Sequence, residues 1–245
     1  LIELDWWINT ENVASSFAGG SGTKEDPYLI ETAEQLALLS YNVYNGSGFM
    51  YNGQYFKQTA NIDLQGHLWF PIGAMYGIYG EEMQGGFSGN YNGDGYYITG
   101  MTFLTDIDSS NPIGIPCSVF GMLYVPEGSQ VIENVVSGLP NAEGDQQWTI
   151  RGAAYVAGIV GALLSDGITV RNCTNWANIE STSQGSTSNV AGLVSYSSGG
   201  QIVDCTNYGN VTAIDDSAVA GVAGGIAPYG AGVLASGCVN YGDVN

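Results

Sequence analysis

The 245 residues, 44% apolar and 11% aromatic, are enough to fill a continuous core, which excludes a disordered chain. Four Lys and Arg against 23 Asp and Glu give a formal net charge of −19, a field that repels nucleic acid and anionic membrane surfaces and leaves cations, basic proteins or neutral glycans as partners. The 37 glycines suit a turn-rich, all-strand protein better than a cytosolic enzyme.

Residues 1–18 are aromatic and acidic, with the pair Trp6 and Trp7 but no periodic pattern. No charged leader with an apolar stretch is present and no run anywhere in the 245 residues approaches the length of a membrane span, so no membrane insertion of these residues is expected. A Gly-rich turn then leads to a short apolar strand, YLI, and to a helix signal over 32–43. Thr32 followed three places later by Gln35 reads as a capping box. Leu36, Leu39 and Val43, with Ala33 and Ala37, make one apolar stripe at helical spacing. A lone amphipathic helix ahead of strands is what a stacked array needs to close its end, so this helix is read as a cap.

The segments YFKQTANIDL and WFPIG read as a strand pair in which Tyr55, Lys57, Thr59, Asn61 and Asp63 alternate with Phe56, Ala60, Ile62 and Leu64. GGFSGNYNGDGYYITGMTFL reads as two strands joined by a tight hairpin turn through Asn92, Gly93, Asp94 and Gly95. On these signals residues 1–86 hold the cap and first coils, and residues 87–245 the stacked repeats, as one continuous domain with the cap.

The C-terminal third carries the strongest signal. CTNWANI begins at Cys173, CTNYGNV at Cys205 and CVNYGDV at Cys238, spaced by 32 and 33 residues. VAGIVG at Val156, VAGLVS at Val190 and VAGGIA at Val222 precede them, spaced by 34 and 32. An earlier, degenerate copy from Ser118 has Val135 where the later ones have Cys. Such self-similarity marks units that bury their apolar faces only by stacking, and their Val, Ile, Thr, Asn and Gly content favours short strands. The fold expected is all-β, a parallel β-solenoid with equivalent residues about 4.8 Å apart along the axis. Cys173, Cys205 and Cys238 would form one ladder; Asn175, Asn207 and Asn240 a second; Trp176, Tyr208 and Tyr241 an aromatic stack. Stacked Cβ atoms at that spacing lie outside the separation of about 3.5–4.5 Å that a disulfide wants, so buried free thiols are expected, Cys117 included. Gly158, Gly192 and Gly224 mark a bend that excludes a side chain. Asn245 stops just after a repeat element, which leads us to expect adjoining domains of a longer chain.

The order of these elements, from FAGGSGTKEDPYLIETAEQLALLS through ANIDLQG, WFPIG and FSGNYNGDGYYITG to the paired AGIVG or AGLV and CTN elements, resembles the GLUG-repeat proteins of bacterial secretion and surfaces. The resemblance runs from about Phe17 onward. It implies a right-handed parallel β-helix and an extracellular or cell-surface, adhesin-like protein; in some members such a region is accessory to large peptidases, including those that cleave immunoglobulin A. It brings no catalytic motif and no cofactor.

Candidate chemistry is sparse. Asn90, Asn92, Asp94 and Gly95 match the opening of a calcium loop, but the twelfth position is Met101, so a turn is the simpler reading. Asp63 and His67 are spaced for a metal pair, but the chain has a single histidine. Glu81 with Glu82 and Asp106 with Asp108 are the nearest approach to a carboxylate pair, with Lys24, Lys57, Arg151 and Arg171 the only cations. No catalytic residue, metal or cofactor is therefore assigned. Three hypotheses follow: a non-catalytic module binding an extracellular glycan or protein, with exposed Tyr of MYGIYGEEM and YNGDGYY and the Trp6, Trp7 pair as candidate contacts; an accessory or spacer domain of a larger secreted peptidase; and a polysaccharide-degrading enzyme, which needs Arg151 or Arg171 beside an acid cluster.

Overall fold

A computed structural model describes residues 5–46, 50–73, 86–103, 116–153, 155–182, 189–213, 222–224, 229–230 and 232–245. The chain is mostly β, in short strands that pair in parallel with strands one coil earlier and one coil later. The longest sheet runs in order through Tyr28–Ile30, Tyr55–Gln58, Asn90–Asn92, Gln130–Glu133, Ile168–Arg171, Gln201–Val203 and Leu234–Ser236. A six-stranded sheet runs beside it from Ile62–Asp63 to Val239–Asn240, with smaller parallel sheets completing the later coils. This is a β-helix-like arrangement, and the longest sheet passes from residues before 86 to residues after it.

Residues that alternate along each strand explain the packing. In the longest sheet Phe56, Tyr91, Ile132, Val170 and Ile202 stand in register and are buried, while their neighbours on either side face outward. One apolar cluster extends from Trp7 and Leu36 through to Val211. Buried polar side chains are tied to the backbone of adjoining coils: Gln130 Nε2 donates to the carbonyls of Phe87 and Gly89 at 2.9 and 2.8 Å.

The helix spans Ala33–Asn45 and buries Leu36, Ala37, Leu39, Ser40 and Val43. Thr32 Oγ1 accepts from the Gln35 N–H at 3.3 Å, whereas Gln35 Oε1 accepts from the Glu31 N–H at 2.8 Å, one residue before the position a reciprocal box would use. Ser40 Oγ donates to the Phe70 carbonyl at 2.7 Å, fastening the helix to the next segment. Ahead of it, the Gly19 segment lies antiparallel to Leu29 through a pair of backbone hydrogen bonds, occupying the outer edge of the first strand. At the opposite end Leu234, Val239, Tyr241 and Val244 are exposed on the last coil.

Two local expectations are corrected. Asn90–Asn92 and Tyr97–Thr99 do not form a hairpin; each pairs in parallel with other coils, in different sheets. YFKQTANIDL and WFPIG do not pair with each other either: the first holds two strands, Tyr55–Gln58 and Ile62–Asp63, in different sheets, and Ile72 of the second bridges in parallel to Phe120. Turn chemistry sets a sharp change of direction without fixing what the next strand pairs with. In the NGDG segment, Asn92 Oδ1 accepts from the Asp94 N–H at 2.8 Å and Asp94 sits at φ 52°, which turns the chain from one sheet into the next. The third VAG element is also offset: Gly224 pairs with Ala191, not Gly192, although Val156 and Val190 are in register. The last two coils are 33 residues apart at Asn207 and Asn240, so an element that returns after 32 falls one place early.

Candidate binding groove

The outward positions of the longest sheet form two columns. One runs Tyr55, Asn90, Val131, Thr169, Gln201, Leu234; the other Lys57, Asn92, Glu133, Arg171, Val203, Ser236. Over the first coils these columns, with Lys24 from the turn before the first strand and Ser129, border a groove of about 240 Å³. That is smaller than the roughly 300–1,000 Å³ of pockets that engulf a small molecule, as expected of a surface that holds part of an extended ligand. A wider depression near the helix, of about 390 Å³, has no charged side chain in its lining, which includes Phe17, Tyr28 and Leu38.

Much of the groove's polar capacity is already committed. Asn90 donates to the Gln54 carbonyl at 3.3 Å and accepts from the Val131 N–H at 2.9 Å. Asn92 Oδ1 also accepts from Asn134 Nδ2 at 3.0 Å. Arg171 directs Nε and Nη2 at the same oxygen, Glu133 Oε2, at 2.8 and 2.7 Å. Lys57 pairs with Asp94 at 3.1 Å just beyond the groove. Among the described residues, Lys24 Nζ, Arg171 Nη1 and Asn92 Nδ2 have no acceptor in the protein, and Glu133 is the lining's single carboxylate. Beneath, Tyr91 is fully buried, its hydroxyl 3.2 Å from Gln58 Oε1; burial pushes this phenol up, so it stays neutral.

The sequence-derived candidates fall in several places. The Asn90, Asn92 and Asp94 set that resembles the opening of a calcium loop is spent on turns, coil-to-coil bonds and the Lys57 pair, and Asp63 Oδ1 accepts from the Gln65 N–H at 3.0 Å. His67 Nδ1 lies 2.8 Å from Asp5, and its ring meets Trp7 edge-on. Arg151 pairs with Glu180, directly opposite it on the next coil, at 3.2 Å. Glu81, Glu82, Asp106, Asp108 and the MYGIYGEEM segment lie outside the described residues.

The repeat positions form ladders. Asn175 Nδ2 donates to Asn207 Oδ1 at 2.8 Å, and Asn207 Nδ2 to Asn240 Oδ1 at 2.7 Å; each amide also donates to the carbonyl two residues on. Trp176, Tyr208 and Tyr241 stack face to face, with centroids 3.9 and 4.9 Å apart. Stacking leaves mainly ring edges for a ligand, and Tyr241, 66% exposed, ends the column. All four cysteines are free; Cys173 N–H donates to Cys205 Sγ at 3.4 Å, and Cys238 is only partly buried. The column Asn134, Asn172, Asp204 and Gly237 shares a left-handed backbone, φ 51–65°, that turns the chain after each of the last four strands of the longest sheet. Sequence reading did not assemble the groove: Lys24, Tyr55, Asn92, Ser129, Glu133 and Arg171 share no spacing, and the scarcity of cations was the one signal pointing at two of them.

No protein-family model matches the chain. Over 108 residues, 42% of the chain, it is 41% identical to a protein of Evansella cellulosilytica described as a "Putative Gly-rich membrane protein"; the match spans 10% of that relative's length. Among solved structures it is similar to "a putative immunoglobulin A1 protease from Bacteroides ovatus", with a TM-score of 0.55, 20% identity, and coverage of 93% of this chain and 80% of the other. At that identity the likeness is one of fold. No helix among the described residues is long and apolar enough to cross a membrane.

Proposed function

We propose that the chain is a non-catalytic binding module of an exported bacterial protein, exposed outside the cell or at its surface, in which one continuous right-handed β-helix, capped by the helix Ala33–Asn45, presents the outer-sheet groove to a glycan or protein. The observation that carries this reading is the groove itself, with unused hydrogen-bond donors beside an accessible Tyr55 and one carboxylate already held by Arg171. Glycoside hydrolysis ordinarily needs two carboxylates across the scissile bond, and Glu133 has no carboxylate partner in that lining. The GLUG-like order of elements supports the same assignment. A second placement, as the accessory domain of a larger secreted peptidase, is favoured by the fold shared with the Bacteroides ovatus protein; binding and accessory roles are compatible.

The purified chain should bind members of a glycan and extracellular-protein array without turnover, and Tyr55→Ala should weaken that binding while leaving the urea unfolding midpoint within error. Cleavage of polysaccharide or immunoglobulin A by the chain alone, abolished by Glu133→Gln, would overturn the assignment.

A further inference from the structure

The groove is chemically unlike the rest of the surface. In a chain with four basic residues against 23 acidic ones, Lys24 and Arg171 both line it, and Lys57 stands on the same outer face, in register with Asn92. What remains free there is lopsided. Lys24 Nζ, Arg171 Nη1 and Asn92 Nδ2 only donate; Tyr55 and Ser129 hydroxyls do either; Glu133 Oε1 is the one dedicated acceptor left. A neutral sugar offers hydroxyls that donate as readily as they accept, so it would cover two cations without replacing the water they lose. A carboxylate satisfies both cations at once and forms the stronger, charge-assisted bonds.

We infer that the groove recognises a glycan bearing a single carboxylated sugar, its carboxylate held between the Lys24 ammonium and the Arg171 guanidinium and its ring against Tyr55. The inference rests on the reading of this groove as the binding site. The whole-chain charge of −19 narrows the class further. At physiological ionic strength, charges within about 8 Å dominate, so a lone carboxylate feels chiefly Lys24, Arg171 and the Glu133 already paired with Arg171, a balance that stays positive through Lys24. A polyanion extending past the groove meets the field of a surface whose net charge is −19 and is repelled. An acidic peptide suffers the same repulsion and lacks the pyranose face that stacks on Tyr55.

Calorimetric titration of the whole chain tests this with sialyllactose, a disaccharide ending in glucuronate, the methyl ester of each, lactose, and a tetraglutamate peptide. At least one free acid should bind about tenfold or more tightly than its ester, the value of one charge-assisted bond. Lys24→Ala and Arg171→Gln should each remove most of that preference, and Arg151→Gln, on another sheet, none of it; urea midpoints establish that each variant is folded. If the esters and lactose bind as well as the acids and Tyr55→Ala abolishes them all, the groove stands as the site and the acidic preference is overturned. Tighter binding of the peptide, or an equal loss with Arg151→Gln, also overturns it. No binding of any probe by folded protein, with array ligands still captured, refutes the acidic-sugar assignment alone; no binding on the array removes both.

Discussion

Replacing Asn207 by Ala tests the ladder where it carries most weight. Asn207 is fully buried, and its amide makes three hydrogen bonds of 2.7–2.8 Å: from Asn175, to Asn240 and to the Gly209 carbonyl. Truncation strands one Asn175 N–H and the Gly209 carbonyl in buried surroundings, at about 1–3 kcal/mol each, while Asn240 Oδ1 at the exposed end recovers water. The sum is about 2–6 kcal/mol, with about 3–4 as the central expectation. Asn240→Ala deletes the same atoms at the exposed end, where removing the side chain lets water reach the Asn207 N–H and the Gly242 carbonyl it leaves behind, and should cost about 1 kcal/mol. Urea unfolding followed by circular dichroism should move the midpoint by about 1 M for Asn207→Ala, at a slope of about 3 kcal/mol/M, and about a third of that for Asn240→Ala. Equal shifts would refute the argument that burial, rather than the bond count, sets the ladder's value.

Gly158→Ala should destabilise by about 3 kcal/mol, because a Cβ there runs into the Asn175 amide and the Gly192 carbonyl of the next coil, and adjacent coils cannot part without breaking their ladders. Gly53→Ala, at φ 71° with open space around it, should cost only about 1 kcal/mol, measured by the same denaturation. Burial pushes the Cys117 thiol up to about 12 and also raises Cys173, so iodoacetamide at neutral pH should label Cys238 first and those two only after unfolding; rapid modification of Cys117 in the folded protein would contradict its placement. The hydrogen bond to His67 holds the Asp5 carboxyl below its usual value. Its small contribution is therefore present above the unfolded carboxylate range and is lost as pH falls through the lowered folded value; Asp5→Asn should flatten that acid limb of a stability-versus-pH curve.

How much could be read in advance depended on how regular the coils are. From Cys173 onward, coils of 32 and 33 residues bring like residues over like, so the Asn, Cys and aromatic columns were visible as a repeat. Earlier coils are irregular: Asn90 reaches Val131 across 41 residues and Glu133 reaches Arg171 across 38, and no period links them. Local signals did not resolve partnership either, since the NGDG turn is equally consistent with a hairpin and with a corner between sheets. The sequence by itself determined strand type, helix position and the stacking of identical side chains, because alternation and repetition are local properties. Only the tertiary structure decided which unlike residues share a face. Lys24, Tyr55, Asn92, Glu133 and Arg171 meet because parallel pairing carries each strand's outward side chain onto its neighbour's, whatever the length of chain between them.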